Sequence, residues 1–420
     1  MAQESFSFLH AADLHLDSPL RGLAAYPGAP VAELRLASRE AFAGLVRTAI
    51  ERDVAFVVLA GDLFDGEWRD YDSGLWFSAR LRELDAAEIP VFAIRGNHDA
   101  ESRVTRRLTW PANVHVFGSD APSTERLDAI GVAVHGQSYP DATVEANLAR
   151  DYPDPVPGDF NVGLLHTALD GREGHDRYAP CTVSELAAKG YDYWALGHVH
   201  RREVVAADPY IVFPGNLQGR HVRETGPKGA TLVHVERGAV ARLEELALDV
   251  VRWDRIVVDV EGAGDEAEIL RRVDDSLGRS TVTADGRTVA ARVVLVGATE
   301  LDAALRVHRE RIVAEVRAAA QRVDGDAWVE RVVLDTRPPE EREAAADIAG
   351  LARRIEGATL DDEALARMAA ELGTLADRLP SSARETVDPR DVDALRGLTE
   401  AARLDLAAML ASAREPEDEP

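Results

Sequence analysis

Five short motifs hold the residues of this chain that can do chemistry: Asp13-Leu14-His15, Gly61-Asp62, Gly96-Asn97-His98-Asp99, His166, and Gly197-His198-Val199-His200. Singly each is weak, because a Gly-Asp pair is usually a turn and a His-x-His pair often lies on the surface. Together they supply carboxylates, an amide and imidazoles without a thiolate, a donor set suited to a hard or borderline divalent ion such as Mn²⁺, Fe²⁺ or Zn²⁺. Seven candidate ligands exceed what one ion uses and suit two. A shared carboxylate can span ions about 3.5–4 Å apart, the spacing at which a metal pair polarises a phosphoryl group and generates a hydroxide nucleophile. Phosphoester hydrolysis is the reaction expected of such a centre.

Elements must bring these motifs together. Apolar runs at residues 6–12, 54–60, 91–94, 130–134, 161–165 and 193–196 predict strands, with amphipathic helices at 31–51 and 73–87 between the first three. That alternation predicts an α/β layered domain, and each motif falls at the carboxyl end of a strand, where open α/β sheets bind ligands. The segments YIVFPGN, GATLVHVE and VARLEELAL, over residues 210–248, predict further strands that complete the same domain's second sheet. A second unit begins near Trp253, with strands RIVVDV, ARVVLVG and WVERVVLD, helices at 266–277 and 309–321, and an end at Pro338-Pro339. Three helices are then expected, at 340–355, 361–379 and 389–413. The middle one carries Leu365, Met368, Leu372, Leu375 and Leu379 as a coiled-coil-like stripe.

A length of 420 residues suits two or three domains. The lone Cys181 excludes a disulfide framework and a cysteine-built zinc cluster, and suits a reducing, cytoplasmic setting. The start MAQESFSFLHAAD lacks the features of a signal peptide, and no apolar run approaches the roughly 18 residues of a bilayer span. A non-exported chain with no membrane partner is expected. With 74 acidic against 48 basic residues, the net charge of -26 argues against indiscriminate nucleic-acid binding through a basic surface. A local basic groove remains compatible with it.

In chain order, D-x-H, G-D-x-x-D, G-N-H-D, a lone His and G-H-x-H resemble the calcineurin-like metallophosphoesterases. The flanks HAADLHLDSPLRGL at residues 10–23 and FPGNLQGRHVRETGPKG at 213–229 are similar to the SbcD-type DNA repair exonucleases, particularly their YhaO-like branch. The resemblance implies an α/β layered β-sheet sandwich flanked by helices over residues 1–252, carrying a dinuclear nuclease site. A small α+β cap follows at 253–339, ordered like the family's DNA-contacting cap, and then a helical C-terminal region with an acidic tail at 340–420, placed like the family's partner-binding helices. Carried over residue by residue, Asp13, His15 and His200 hold one ion, Asn97, His166 and His198 hold the other, and Asp62 bridges them. His98 resembles the family's catalytic histidine, which stabilises the transition state and protonates the leaving oxygen. Asp65 is its orienting carboxylate, since an imidazole needs a partner to fix its tautomer and charge. The implied cofactors are two divalent ions, Mn²⁺ first, with Fe²⁺ or Zn²⁺ as alternatives. The implied substrate is DNA and the implied partner an SbcC-like ATPase; the family also commonly dimerises through the nuclease domain.

Other residues carry plainer readings. His10 is expected in the core or behind the ligands, Asp17 as a turn cap before Pro19, and Cys181 as packed; His115, His135, His234 and His308 match no motif. Arg220 and His221 stand equally between a phosphate-facing role and none. Two rival functions remain: a small-molecule phosphodiesterase or phosphatase, which needs the same ligands, and a non-catalytic DNA-end scaffold.

Overall fold

The computed structural model describes residues 5–18, 31–65, 72–101, 110–170, 178–323, 325–339, 355, 357–358, 361–376 and 391–412. By chain contacts it divides into two units, Met1–Val296 with Leu305–Asp335, and Gly297–Ala304 with Thr336–Pro420.

In the first unit, two six-stranded sheets face each other. The first contains β1 (Ser5–Ala11), β2 (Phe56–Ala60), β3 (Val91–Ile94), β4 (Val114–Val116), β11 (Gly229–Glu236) and β12 (Ala239–Ala247), in the order β12-β11-β1-β2-β3-β4. The second contains β5 (Ser123–Leu127), β6 (Val132–Gly136), β7 (Phe160–His166), β8 (Tyr193–Gly197), β9 (Glu203–Ala207) and β10 (Tyr210–Phe213), in the order β5-β6-β7-β8-β10-β9. Alternate side chains on each strand go to opposite faces. Phe8, Phe56, Val58, Phe92 and Ile94 therefore meet Val134, Val162, Leu164 and Tyr193 between the sheets. Leu9, Ala11, Val57, Leu59 and Val91 face the helices outside the first sheet. Strands buried on both faces are written as unbroken apolar runs, as FVVLA at β2 shows.

The helices supply the outer layer. α1 (Val31–Glu51) aligns Ala41, Phe42, Leu45, Val46 and Ala49 toward the first sheet, and α2 (Asp72–Ala86) adds Phe77, Leu81 and Leu84. Phe42 lies 4.7 Å from Phe77, ring centre to ring centre; its truncation to Ala would cost about 3–5 kcal/mol. α1 stops where Asp53 turns left-handed, at φ 49°, and Val54 N returns to Ala49 O. The short α3 (Asn97–Glu101) follows β3, and outside the second sheet α4 (Val183–Ala188), capped by Thr182, brings Leu186 onto Trp194, Leu196 and Phe213.

The expectation that all three segments of 210–248 complete the second sheet is corrected. Only β10 does so; β11 pairs antiparallel with β1, Leu9 opposite Leu232, and β12 forms the outer edge of the first sheet. β11 has Val233 and Val235 in the inter-sheet core and Ala230 and Leu232 on the helical side, as an interior strand requires.

A three-stranded sheet follows, with β13 (Val251–Asp259) parallel to β14 (Thr288–Ala298) and β15 (Ala327–Arg337) beyond it. α5 (Glu266–Thr283) connects β13 to β14, capped by Asp265, whose carboxylate accepts from Glu268 N at 2.8 Å. α6 (Asp302–Val307) and α7 (Arg309–Ala320) lie between β14 and β15. Trp253 and Trp328 pack with Leu34 and Ala37 of α1, joining this sheet to the sandwich. Asp249, buried at the junction, takes Arg252 through two bonds of 2.9 and 3.0 Å.

In the second unit, α8 (Asp362–Ala376) and α9 (Val392–Ser412) pack through Leu365, Ala369 and Leu395, flanked by Met368, Leu372 and Val392. The leucine stripe is thus used in part against α9. The helix expected at 340–355 lies outside the described residues, apart from residue 355. Among the described residues no helix is long and apolar enough to cross a membrane.

Candidate metal centre

Strands β1, β2, β3, β7 and β8 end together, and the motifs follow at their carboxyl ends. Asp13, His15, Asp62 and His198 take left-handed backbone conformations, with φ of 51, 42, 52 and 100°. Residues with side chains seldom adopt these values, and here they turn the chain sharply as it leaves each strand. Asp13 N donates to Gly61 O and His15 N to Asp62 O, both at 3.0 Å, so the β1–β2 pairing continues through the loops. The motif glycines leave room. A Cβ on Gly96 would lie 2.2 Å from Asp62 Oδ1, and one on Gly197 would lie 1.9 Å from the Ala60 carbonyl oxygen.

Three overlapping groups of potential ligand atoms result: Asp13, His15 and His200; His15, Asp62 and His98; Asp13, Asp62 and His166. His15 Nε2 is 3.1 Å from His200 Nε2 and 3.8 Å from Asp62 Oδ2. His200 Nε2 is 3.8 Å from Asp13 Oδ1. His166 Nε2 is 3.0 Å from Asn97 Oδ1 and 3.5 Å from Asp62 Oδ2. The His198 ring lies 5.2 Å from that of His166, outside the three groups, and its backbone N–H donates to the Asp13 carboxylate. Six of the seven expected ligands therefore border one space, with Asp13, His15 and Asp62 each common to two of the groups, and His198 stands beside it against the His166 ring.

The donor set fits a cation. His166 Nδ1 lies 2.9 Å from the Ala60 carbonyl and donates to it, so Nε2 of the neutral ring turns its lone pair toward two oxygen acceptors. Burial opposes charge on His166, yet Asp62 draws a proton there and raises its pKa to about 9. That is the demand for positive charge that a metal ion would meet. His15 Nδ1 is buried with no hydrogen-bond partner, and burial together with Arg220 holds this ring neutral, at about 3. Burial pushes Asp13 up to about 6; it also pushes Asp62 up, but His166 outweighs it and leaves Asp62 well below the usual carboxylate range.

Beside this space stands His98. Its Nδ1 is 3.0 Å from Asp65 Oδ1, and its backbone N–H donates to Asp62 Oδ1. Burial lowers its pKa, but the bond to Asp65 and the charges of Asp62 and Asp65 win and raise it to about 9. Asp65 also accepts from Ser18 Oγ at 2.6 Å, and its pKa falls well below normal because His15 and His98 outweigh burial.

Several contributors were not assigned from the sequence. Asp99, last residue of G-N-H-D, accepts from Leu63 N, Phe64 N and Gly96 N, tying the β2 and β3 loops together. Tyr139 donates to the His166 carbonyl. Asn216, Arg220 and Glu224 stand behind His200, all within the 213–229 flank that carried the family likeness. Arg220 Nη1 is 3.6 Å from Asp65. Asp17 is not a turn cap: its carboxylate holds Arg39 and Ser73. His10 is no ligand, being buried between Tyr193 Oη and Leu196 O and held neutral, at about 3, chiefly by burial.

A two-sheet α/β sandwich with carboxylates and imidazoles gathered at its strand ends is the architecture of a metallophosphoesterase. The sequence model described as calcineurin-like phosphoesterase matches residues 6–202, and the one described as metallophosphoesterase YhaO, middle domain, matches 253–337. The chain is 37% identical over 295 residues to the uncharacterized metallophosphoesterase YhaO of Bacillus subtilis, covering 69% of this chain and 72% of that one. The chain belongs to the calcineurin-like metallophosphoesterases, as a YhaO-like member. It is also 30% identical over 301 residues to the DNA double-strand break repair protein Mre11 of Methanopyrus kandleri (63% of this chain, 61% of that one), and 22% identical over 283 residues to that of Sulfurisphaera tokodaii (63% and 71%).

Proposed function

We propose that the chain is a metal-dependent DNA nuclease subunit that hydrolyses phosphodiester bonds at a dinuclear centre. The observation that carries this reading is the convergence of imidazoles and carboxylates around Asp62, with the His98–Asp65 pair at its side. Asp13, His15 and His200 would hold one ion and Asn97, His166 and His198 the other, with Asp62 shared between them. Bound there, divalent ions, Mn²⁺ foremost, would supply Lewis acidity toward the phosphoryl group and a nucleophile at neutral pH. His98, with its pKa raised to about 9, keeps its proton at neutral pH and delivers it to the departing sugar oxygen. Asp65 holds the ring at Nδ1 so that the other nitrogen faces the substrate.

The Mre11 relatives, named for DNA double-strand break repair, and the sheet after residue 250 support a polymer substrate over a small molecule. Residues 340–420 bind an SbcC-like ATPase in this reading. The stripe of α8 is partly covered by α9, so the contact falls to the outward Leu398, Leu404 and Leu406 of α9, each about half exposed. Association of two copies through the nuclease domain completes the proposed assembly.

The test is to load the purified protein with Mn²⁺ and assay labelled linear and hairpin DNA beside a chromogenic phosphodiester. About two ions per chain and chelator-sensitive DNA cutting are expected. Saturation at one ion rejects the dinuclear centre, and cleavage of the chromogenic compound alone favours a small-molecule substrate. Deleting residues 340–420 should leave cutting intact and abolish co-purification with the ATPase; retained capture rejects the docking assignment.

A further inference from the structure

Among the expected metal ligands, His200 is held differently from His166. Its Nδ1 donates to Glu224 Oε1 at 2.7 Å, whereas His166 Nδ1 donates to the backbone carbonyl of Ala60. Glu224 is 7% exposed, and both of its oxygens are engaged: Oε2 accepts from Asn216 Nδ2 at 2.9 Å and from Arg220 N at 2.7 Å. With Arg220 Nη2 also donating to Oε1 at 3.4 Å, a carboxylate fixed by four donors on two sides cannot rotate away from the ring. The loop that carries it is itself anchored. Gln218 Nε2 donates to Val251 O, its Oε1 accepts from Val250 N, and Trp253 Nε1 donates to Gly219 O. A Cβ on Gly219 would approach Glu224 O to 2.9 Å, so the turn is closely packed.

We infer that Glu224 is a positioning residue that commits His200 to the Nδ1–H tautomer and thereby makes Nε2 the metal-binding atom of the site shared with Asp13 and His15. This rests on the dinuclear reading above. Arg220 Nη2 also approaches Nδ1, at 3.2 Å, but Glu224 Oε1 is closer, at 2.7 Å, and offers that guanidinium an acceptor of its own at 3.4 Å. An ionised carboxylate only accepts, so the shorter contact sets the proton on Nδ1, and Nε2, 3.1 Å from His15 Nε2 and 3.8 Å from Asp13 Oδ1, keeps its lone pair. A negative partner also makes the ring a stronger donor than a carbonyl partner does. The two ions are therefore unequally dependent on their surroundings: the His200 side leans on a charge contributed by a loop near the cap, and the His166 side on the sandwich backbone.

Glu224→Gln separates this role from loop support. If the amide oxygen stays on His200, the amide nitrogen confronts two donors; if the amide turns, its N–H faces Nδ1 and drives the proton to Nε2. The experiment is a calorimetric Mn²⁺ titration of metal-free wild type and Glu224→Gln, with thermal melting of both, and ¹⁵N NMR of the His200 ring in the metal-free wild type. Expected are an unprotonated Nε2 in the wild type and, in the variant, one of two binding steps weakened about 10–100-fold with the other unchanged. An Nε2–H tautomer in the wild type, which needs no variant to observe, overturns the inference. So do two unchanged steps, or two steps weakened together with a lowered melting temperature. A wild type that binds one ion or none overturns the dinuclear reading itself, before any comparison with the variant.

Discussion

Asp65→Asn tests the proton donor through its partner. His98 Nδ1 and Asp65 Oδ1 are 3.0 Å apart, and the His98 side chain is 36% exposed. A hydrogen bond between charged groups contributes about 1.5–3 kcal/mol when buried; solvent reduces this one to about 1–2 kcal/mol. That amounts to roughly one pK unit. Asn keeps the shape and removes the charge, so the His98 midpoint should fall from about 9 to about 8. Because the folded value lies above the ordinary 6.5, the stabilisation is complete below pH 6.5 and is lost as pH rises through the folded midpoint; the variant loses it earlier. NMR titration of the His98 ring in metal-free protein reads the midpoint directly. The alkaline limb of manganese-supported cleavage should move in the same direction. A folded Asp65→Asn protein whose His98 midpoint stays put, or whose alkaline limb is unchanged, refutes the assigned pairing.

Three further outcomes follow from packing. Gly197→Ala sets a Cβ 1.9 Å from the Ala60 carbonyl, backbone against backbone, and should lower stability by about 1–3 kcal/mol or more; an unaltered thermal melt would contradict the close approach. Asp249→Ala leaves Arg252 buried without its carboxylate, and the denaturant midpoint should report a loss of about 3–5 kcal/mol. Cys181 is buried, which pushes its thiol from 9.0 up to about 11. At pH 8 it should react with a thiol reagent on the order of 100-fold more slowly than in unfolded chain, and its contribution to stability, complete below pH 9, should fade as pH climbs toward 11. Rapid labelling of the native protein would place the thiol at the surface.

The motifs were legible because interior parallel strands spell apolar runs that stop where polar residues begin: FVVLA ends in Gly61-Asp62, and YWAL in Gly197-His198. The helix expected at 31–51 and the strand at 91–94 have those bounds in the structure. Short half-exposed strands gave no such signal. β4 is three residues, all partly exposed, and STERL at β5 is polar along most of its length. The sheet that receives β11 was illegible because apolar alternation says that a strand is covered, not by which neighbour. Asp17 was misread because its partner, Arg39, lies on a helix 22 residues away. Glu224 shows the same limit: a carboxylate in a loop without periodicity reveals its role only when His200, 24 residues earlier, is seen against it.

The place of β11 between β1 and β12 has a consequence for biosynthesis. β1 is made before its partners, and β2 reaches one of its edges about fifty residues later. The other edge stays bare until residues 229–236 emerge, because Ser5 pairs with Glu236 and His10 with Thr231. Pairings of that separation raise contact order and slow folding. An unpaired interior strand is meanwhile a template for wrong partners. Glu224 arrives in the same late stretch. A nascent or prematurely released chain that stops before residue 229 has every metal-ligand candidate but no closed first sheet, and its exposed strand edge marks it as unfinished.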